Sequence, residues 1–226
     1  KAMTDLTVIM MTPNKVPRSW ARFHKKMLLQ AIGDTPVITI SKKPLNWGIN
    51  LIQTEYGVMN LFNQMLRGFK RATTPYVAMA DDDTLYPKEH FQYRPPPDKF
   101  AYNFNRWHLF TWGPPFYFHK PLPGNGLMIA PRDLAINAIA KRLRSRMAKK
   151  YGLRGSLGKE LGTHDGARRY DRGEMISFYT HTPVVSFYHE MSMDPLSQRR
   201  RKYAWPVRVY DLPFWGKATK IRSRFK

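Results

Sequence analysis

The chain has 226 residues, with 38 Lys+Arg against 16 Asp+Glu and a formal net charge of +22 at pH 7. It lacks cysteine, which excludes disulfides and thiolate metal sites, and no apolar run approaches the ~18–20 residues of a membrane span. The length suits one domain with a sizeable core, and so positive a field points to a polyanionic partner, nucleic acid or an anionic membrane surface.

Leu6–Met10 is apolar and closes on Met11-Thr12-Pro13, which predicts a first buried strand. Trp20, Phe23, His24, Met27, Leu28 and Ala31 then recur at helical spacing, with Ser19 placed to cap the helix. Pro36–Ile40 (PVITI) predicts a second strand. Val58, Leu61, Phe62, Met65, Leu66 and Phe69 form a cleaner helical stripe, and Tyr76–Ala80 predicts a third strand. Core packing accounts for both stripes. Strands alternating with helices imply βαβ units and a parallel sheet with right-handed crossovers. Ligands of such sheets sit beyond the carboxyl ends of the strands.

Asp81-Asp82-Asp83 stands at such an end. Clustered carboxylates cost stability unless a cation or hydrogen-bond donors compensate them. The Asp81-x-Asp83 spacing lets two carboxylates converge on one hard divalent ion. An acidic turn closing the strand is the plainer alternative.

Arg94-Pro95-Pro96-Pro97 must be a stiff loop. Phe100, Tyr102, Phe104, Trp107, Phe110, Trp112, Phe116, Tyr117 and Phe118 follow, broken by Gly113-Pro114-Pro115. These rings suit a second layer of core, or one or two of them could stack on an acceptor base. Asn103, Asn105, Arg106 and His108 add polar groups beside them. Pro123-Gly124-Asn125-Gly126 reads as a turn into a strand at Leu127–Ala130. Ile136, Ile139, Leu143 and Met147 mark a helix whose Lys141, Arg142, Arg144, Lys149 and Lys150 lie mostly off the apolar stripe. That face could be merely solvated or could meet phosphates. The basic residues continue through Arg154, Lys159, Arg168, Arg169 and Arg172 to the Arg199–Lys202 run. Residues 1–140 hold 17 basic and 9 acidic residues, an excess of +8, and residues 141–226 hold 21 and 7, an excess of +14. The last third is the cationic part.

The strand–helix unit closing on Asp-x-Asp resembles the nucleotide-sugar-binding half of a GT-A glycosyltransferase. A narrower set of segments, NWG (Asn46–Gly48), DTLYPKEHF (Asp83–Phe91), YNFNRW (Tyr102–Trp107), HTPVVSFYHE (His181–Glu190) and LPFWG (Leu212–Gly216), is similar to small phage and bacterial glycosyltransferases. That set includes predicted enzymes acting on hydroxymethylated pyrimidines in DNA and the base J glucosyltransferase. The resemblance implies an α/β fold of GT-A type, a Rossmann-like, mostly parallel sheet flanked by helices with a basic C-terminal region. Residues 1–92 would bind a UDP-sugar and residues 93–226 the acceptor. Asp81 and Asp83 would hold Mn²⁺ or Mg²⁺, with His189, at the end of a strand Val184–Tyr188, as third ligand. Thr12, Pro13, Asn14, Lys42, Asp81 and Asp82 would line the donor pocket.

Glycosyl transfer with inversion needs a base for the acceptor hydroxyl. Asp165 is the first choice, followed by Asp171 and Glu174, although Arg168, Arg169 and Arg172 would weaken such bases. Double-stranded DNA with a modified base is the favoured acceptor, met by Trp107, Trp112, Asn125, Arg142, Arg144, Arg146, Arg168, Arg169, Arg199 and Arg200. The alternatives are a lipid-linked or surface saccharide at an anionic membrane, and a non-catalytic nucleic-acid-binding protein. A metal-dependent nuclease is disfavoured, because no second carboxylate cluster supports a two-metal site. Cytoplasmic residence is expected, in the host if the chain is phage-encoded.

Overall fold

Strand β1 (Leu6–Thr12) buries six of its seven residues. In the computed structural model, which describes residues 4–55, 58–144, 160–163, 174–190 and 206–225, β1 lies inside a seven-stranded sheet. Its neighbours are β2 (Val37–Ser41) and β4 (Tyr76–Asp81), both parallel to it. A parallel strand paired on both edges and covered on both faces has no polar side, which is why LTVIMMT carries no alternation. The sheet continues past β2 to β3 (Ile49–Ile52). Beyond β4 come β9 (Met128–Pro131), the one antiparallel member, then β6 (Phe100–Asn103) and β10 (Met175–Phe178).

Two corrections to the sequence reading arise here. The aspartates close the fourth strand rather than the third, because β3 intervenes at the edge. Its short INLI run has half-exposed isoleucines, and so lacks the apolar density that marks the inner strands. Helix α1 (Arg18–Ile32) begins one residue before Ser19 and its cap position is Pro17, whose carbonyl accepts from the Ala21 amide at 2.8 Å. Proline before the first turn suits a position where an amide would go unbonded. The predicted second helix is α2 (Val58–Arg71), and α3 (Arg132–Arg144) packs against it. The stripe of α3 buries Ala135 and Ile139, while Met147 lies outside the described residues.

A second sheet of five strands holds Trp107, Phe110, Tyr117 and Phe118 of the aromatic run. Its order is β12 (Arg208–Val209), β8 (Tyr117–His119), β7 (Arg106–Phe110), β11 (Val184–Tyr188) and β5 (Thr84–Leu85). The chain passes between the sheets at three short connections: Asp82-Asp83 from β4 to β5, Phe104-Asn105 from β6 to β7, and 179–183 from β10 to β11. The aspartates therefore lie on a seam between two cores. Phe110, Phe116 and Phe118 are buried, and most of the rings serve as the second layer of core. The hairpin β13 (Asp211–Leu212) and β14 (Gly216–Lys217) leads into α4 (Ala218–Arg222). Trp20 of α1 anchors the second core with Leu85, Phe187, Leu212 and Trp215. No helix among the described residues is long and apolar enough to cross a membrane.

Candidate active site

The three aspartates have three different environments. The amide of Asp81, the last residue of β4, donates to the Tyr86 hydroxyl oxygen (2.9 Å), and that hydroxyl donates onward to the Gly126 carbonyl (2.7 Å). Its carboxylate abuts Gly126, where an added Cβ would collide with it. Burial, and then the charge of Asp83, raise its pKa to about 7, with Arg106 opposing. Asp82 is buried and accepts a hydrogen bond from the Thr12 hydroxyl, while its carbonyl accepts from the Trp20 indole at 2.8 Å. Burial pushes its pKa well up. Asp83 is partly open: its side chain is 21% exposed and its Oδ2 lies 3.5 Å from Nε2 of His189.

The structure brings Asp83 and His189 together through β-pairing. β11 runs antiparallel to β5, and the Phe187 amide donates to the Asp83 carbonyl at 2.8 Å. Two residues further along the chain stands His189, its ring 5.1 Å from that of Phe225. Among the described residues, no group of three or more His, Asp and Glu side chains stands ready-clustered for a metal ion. The donor set nevertheless fits one. An oxygen and a nitrogen ligand on adjacent positions of one ion, each at ~2.1 Å, stand roughly 3 Å apart, near the separation seen here. Asp81 lies on the same turn, held against Gly126.

The predicted donor residues gather at the ends of β1 and β2. Thr12 Oγ1 also accepts from the Asn14 amide at 2.9 Å, so its hydroxyl holds the aspartate turn rather than facing outward. Pro13 is exposed. Asn14 has a left-handed backbone (φ 56°), and its Oδ1 accepts from the amides of Lys42 and Lys43, each at 2.8 Å. Asn14 thus clamps the end of β1 to the end of β2.

The predicted acceptor residues are more scattered. Trp107 donates to Asn105 Oδ1 (3.0 Å) and packs on His119, and Trp112 packs edge-on to Phe110. Arg142 does not reach freely into solvent: its guanidinium lies over the Phe62 ring, 5.0 Å from the centroid, and Nη2 donates to the Glu160 carbonyl at 3.4 Å. Arg144 is exposed at the end of α3. Asp165, Asp171, Arg146, Arg168, Arg169, Arg199 and Arg200 lie outside the described residues. Glu174 is exposed beside β10.

Four groups escaped the sequence reading. Trp20 and His24, one turn apart on α1, both sit beneath the aspartate turn, and their i,i+4 spacing was the available signal. Burial lowers the His24 pKa to about 4, against the pull of Asp83. Arg106 was legible within YNFNRW as a polar group beside the rings but not as a neighbour of the aspartates, and Glu160 carried no motif. Burial raises the Glu160 pKa to about 7 despite the charges of Arg106, Arg142 and Lys120.

These shifts set a pH dependence. Unfolded Asp81 and Glu160 would lose their protons near 3.8 and 4.5, whereas the folded chain keeps them to about 7. The native state then binds more protons, so stability falls as pH rises through that window, by up to about 1.4 kcal/mol per pH unit and group. His24 acts oppositely between 6.5 and about 4, offsetting one of the two. Metal-free protein should therefore melt higher near about pH 5.5 than near about pH 7.5, and Asp81→Asn should flatten the difference. Thermal melts in chelator across that range test this, and a melting point that rises with pH would contradict it.

No protein-family model matches the chain, and no curated protein matches it in sequence. Solved structures resemble it only distantly. A mannosyltransferase of Pyrobaculum calidifontis, in complex with GDP-Man and Mn²⁺, matches at TM-score 0.46 and 14% identity, over 88% of this chain and 60% of that one. A glycosyltransferase involved in glycosylation of the major capsid of PBCV-1 matches at 0.41 and 13%, over 88% and 98%. The bifunctional IspDF of Campylobacter jejuni matches at 0.39 and 9%, over 76% of this chain and 52% of that one, so the chain spans about half of that protein's length. Likeness this remote carries no argument about activity.

Proposed function

We propose that the chain is a metal-dependent glycosyltransferase moving a sugar, glucose in the favoured case, from a UDP-sugar to a hydroxymethylated pyrimidine in DNA. The observation that carries it is the partly open Asp83 carboxylate facing His189 beside the half-buried Asp81 and the buried Asp82, at the carboxyl edge of a mostly parallel sheet. A bound divalent ion would supply Lewis-acid neutralisation of the charge growing on the leaving diphosphate. Asp83 and His189 would hold it, with Asp81 beside them. Thr12 keeps Asp82 in place beneath the pocket, and the Asn14 clamp orders the mouth where the nucleoside would sit. Asp165 is the assigned base for the acceptor hydroxyl. The direct test is incubation with UDP-glucose, Mn²⁺ and DNAs bearing different modified pyrimidines, read by nucleoside mass spectrometry. No mass gain on any DNA overturns the acceptor assignment.

The polyanion partner is supported by the +14 excess after residue 140. Each phosphate neutralised contributes about −0.9 to the slope of log affinity against log salt. Changing Arg144, Arg199 and Arg200 together to Ala should make that slope shallower by roughly two to three units and leave UDP affinity alone. Filter binding against salt measures it.

A second acceptor reading has its own observation. Tyr210 and Phe214 are 70% and 71% exposed on the C-terminal hairpin, with Lys217, Lys220 and Arg222 close in sequence. Exposed aromatics beside cations suit an anionic bilayer surface. Binding to anionic vesicles but not to DNA at equal ionic strength would favour the membrane-linked saccharide.

A further inference from the structure

Arg106 opens β7 on the seam between the sheets, and its surroundings are unusual for an arginine. Its guanidinium lies against Gly124, where an added Cβ would stand 2.5 Å from Nη1 and 3.1 Å from Cζ. Two residues on, Gly126 lacks a Cβ against the Asp81 carboxylate. The turn 124–126 is thus pressed between a guanidinium and the first aspartate. Glycine at both places permits that approach, and alanine at either would force it apart.

Arg106 does not use its fork. Its charge is felt by both Asp81 and Glu160. Yet among the described residues its side-chain bond is a long one, from Nε to the Ser186 hydroxyl at 3.4 Å, and none of their carboxylate oxygens stands within ion-pair distance of it. Between Gly124 and Gly126, Asn125 carries a buried Oδ1 with no hydrogen-bond partner among the described residues. A half-buried cationic fork lies against, and an orphaned acceptor lies on, the turn that abuts Asp81. A buried acceptor left unmade is costly, and guanidinium geometry matches two oxygens of one phosphate.

We infer that Arg106 and Asn125 form the subsite for the phosphate–sugar junction of the donor. Arg106 takes the non-bridging oxygens of the sugar-side phosphate, and Asn125 Oδ1 accepts from a hydroxyl of the sugar. This moves Asn125 from the acceptor role assigned from the sequence to the donor, and it rests on the nucleotide-sugar reading above. During transfer, the bond between the anomeric carbon and the phosphate oxygen breaks, and its electron pair stays on that oxygen. The acceptor oxygen supplies the pair for the new bond, and its proton passes to a carboxylate base. Arg106 faces the charge that accumulates on the leaving phosphate, where a preorganised donor acts most strongly.

Calorimetry of the full chain with Mn²⁺ and either uridine, UDP or UDP-glucose separates the roles. Arg106→Ala should weaken UDP about tenfold to a hundredfold and leave uridine unchanged. Arg106→Lys, which keeps the charge and loses the fork, should fall between them and also guards against a folding defect. Asn125→Ala should leave UDP unchanged and weaken UDP-glucose by about tenfold. UDP affinity within about twofold of wild type in Arg106→Ala, or an equal loss for uridine, would show Arg106 to be structural and overturn the inference. Wild-type protein that binds UDP no better than uridine would instead sink the nucleotide-sugar reading, and the inference with it.

Discussion

Asp83→Ala is expected to lower sugar transfer by about three orders of magnitude, because it removes several kcal/mol of charge stabilisation at the leaving group. Folding should survive, since the Asp83 side chain is partly open to solvent and its main chain keeps the bond to Phe187. Asp82→Asn is the informative companion. Asp82 is buried, and burial pushes its pKa well up, towards the protonated form. An amide of the same shape should therefore cost little activity, although the Thr12 contact must re-form. Steady-state transfer rates, together with UDP titrations in the presence and absence of Mn²⁺, measure the contrast. Equal losses in the two variants, or UDP binding indifferent to both metal and Asp83, would remove the metal assignment.

Trp20→Ala should be the most destabilising single change. The indole is fully buried, packs on Phe187 (centroids 4.5 Å) and Phe225 (4.8 Å), and donates to the Asp82 carbonyl. Truncating a buried tryptophan costs about 3–5 kcal/mol, which corresponds to a melting point lower by roughly 10 °C in a chain of this size. Trp20→Phe separates packing from tethering. It retains most of the ring contacts but leaves the Asp82 carbonyl without its donor, at about 1–3 kcal/mol. Because that carbonyl lies in the aspartate turn, transfer should fall further than stability alone explains, as a displacement of about 1 Å costs roughly a hundredfold in rate. Melts and kinetics on the same preparations decide it. A Trp20→Phe protein with wild-type transfer would show that the turn is held by other contacts.

The inner strands and the first two helices were legible because their burial is one-dimensional. Val8, Ile9 and Met10 are apolar whichever way they face, and the α2 stripe repeats every turn. The edge strand β3 was not legible, since its isoleucines are half-exposed and its run is short. The β6, β7 and β8 strands hid in the aromatic run, where rings on both faces of a layer leave no alternation to read. Asp81–Asp83 stood out by composition, but their division of labour did not. Thr12 bonding Asp82, and Gly126 abutting Asp81, join positions far apart in the chain.

Legible in the sequence were the alternation of strands and helices, the net charge of +22 and the cluster of carboxylates at a strand end. Each is a property of neighbouring residues or of bulk composition. The folded chain adds that the His189 ring named by the resemblance faces Asp83 in particular, that Asp82 is the buried one of the three, and that Arg106 leans over the same turn. Those facts depend on β-pairing across roughly a hundred residues of chain and on main-chain approach at Gly124 and Gly126. No local pattern encodes either, because loop closure is a matter of the whole chain's packing.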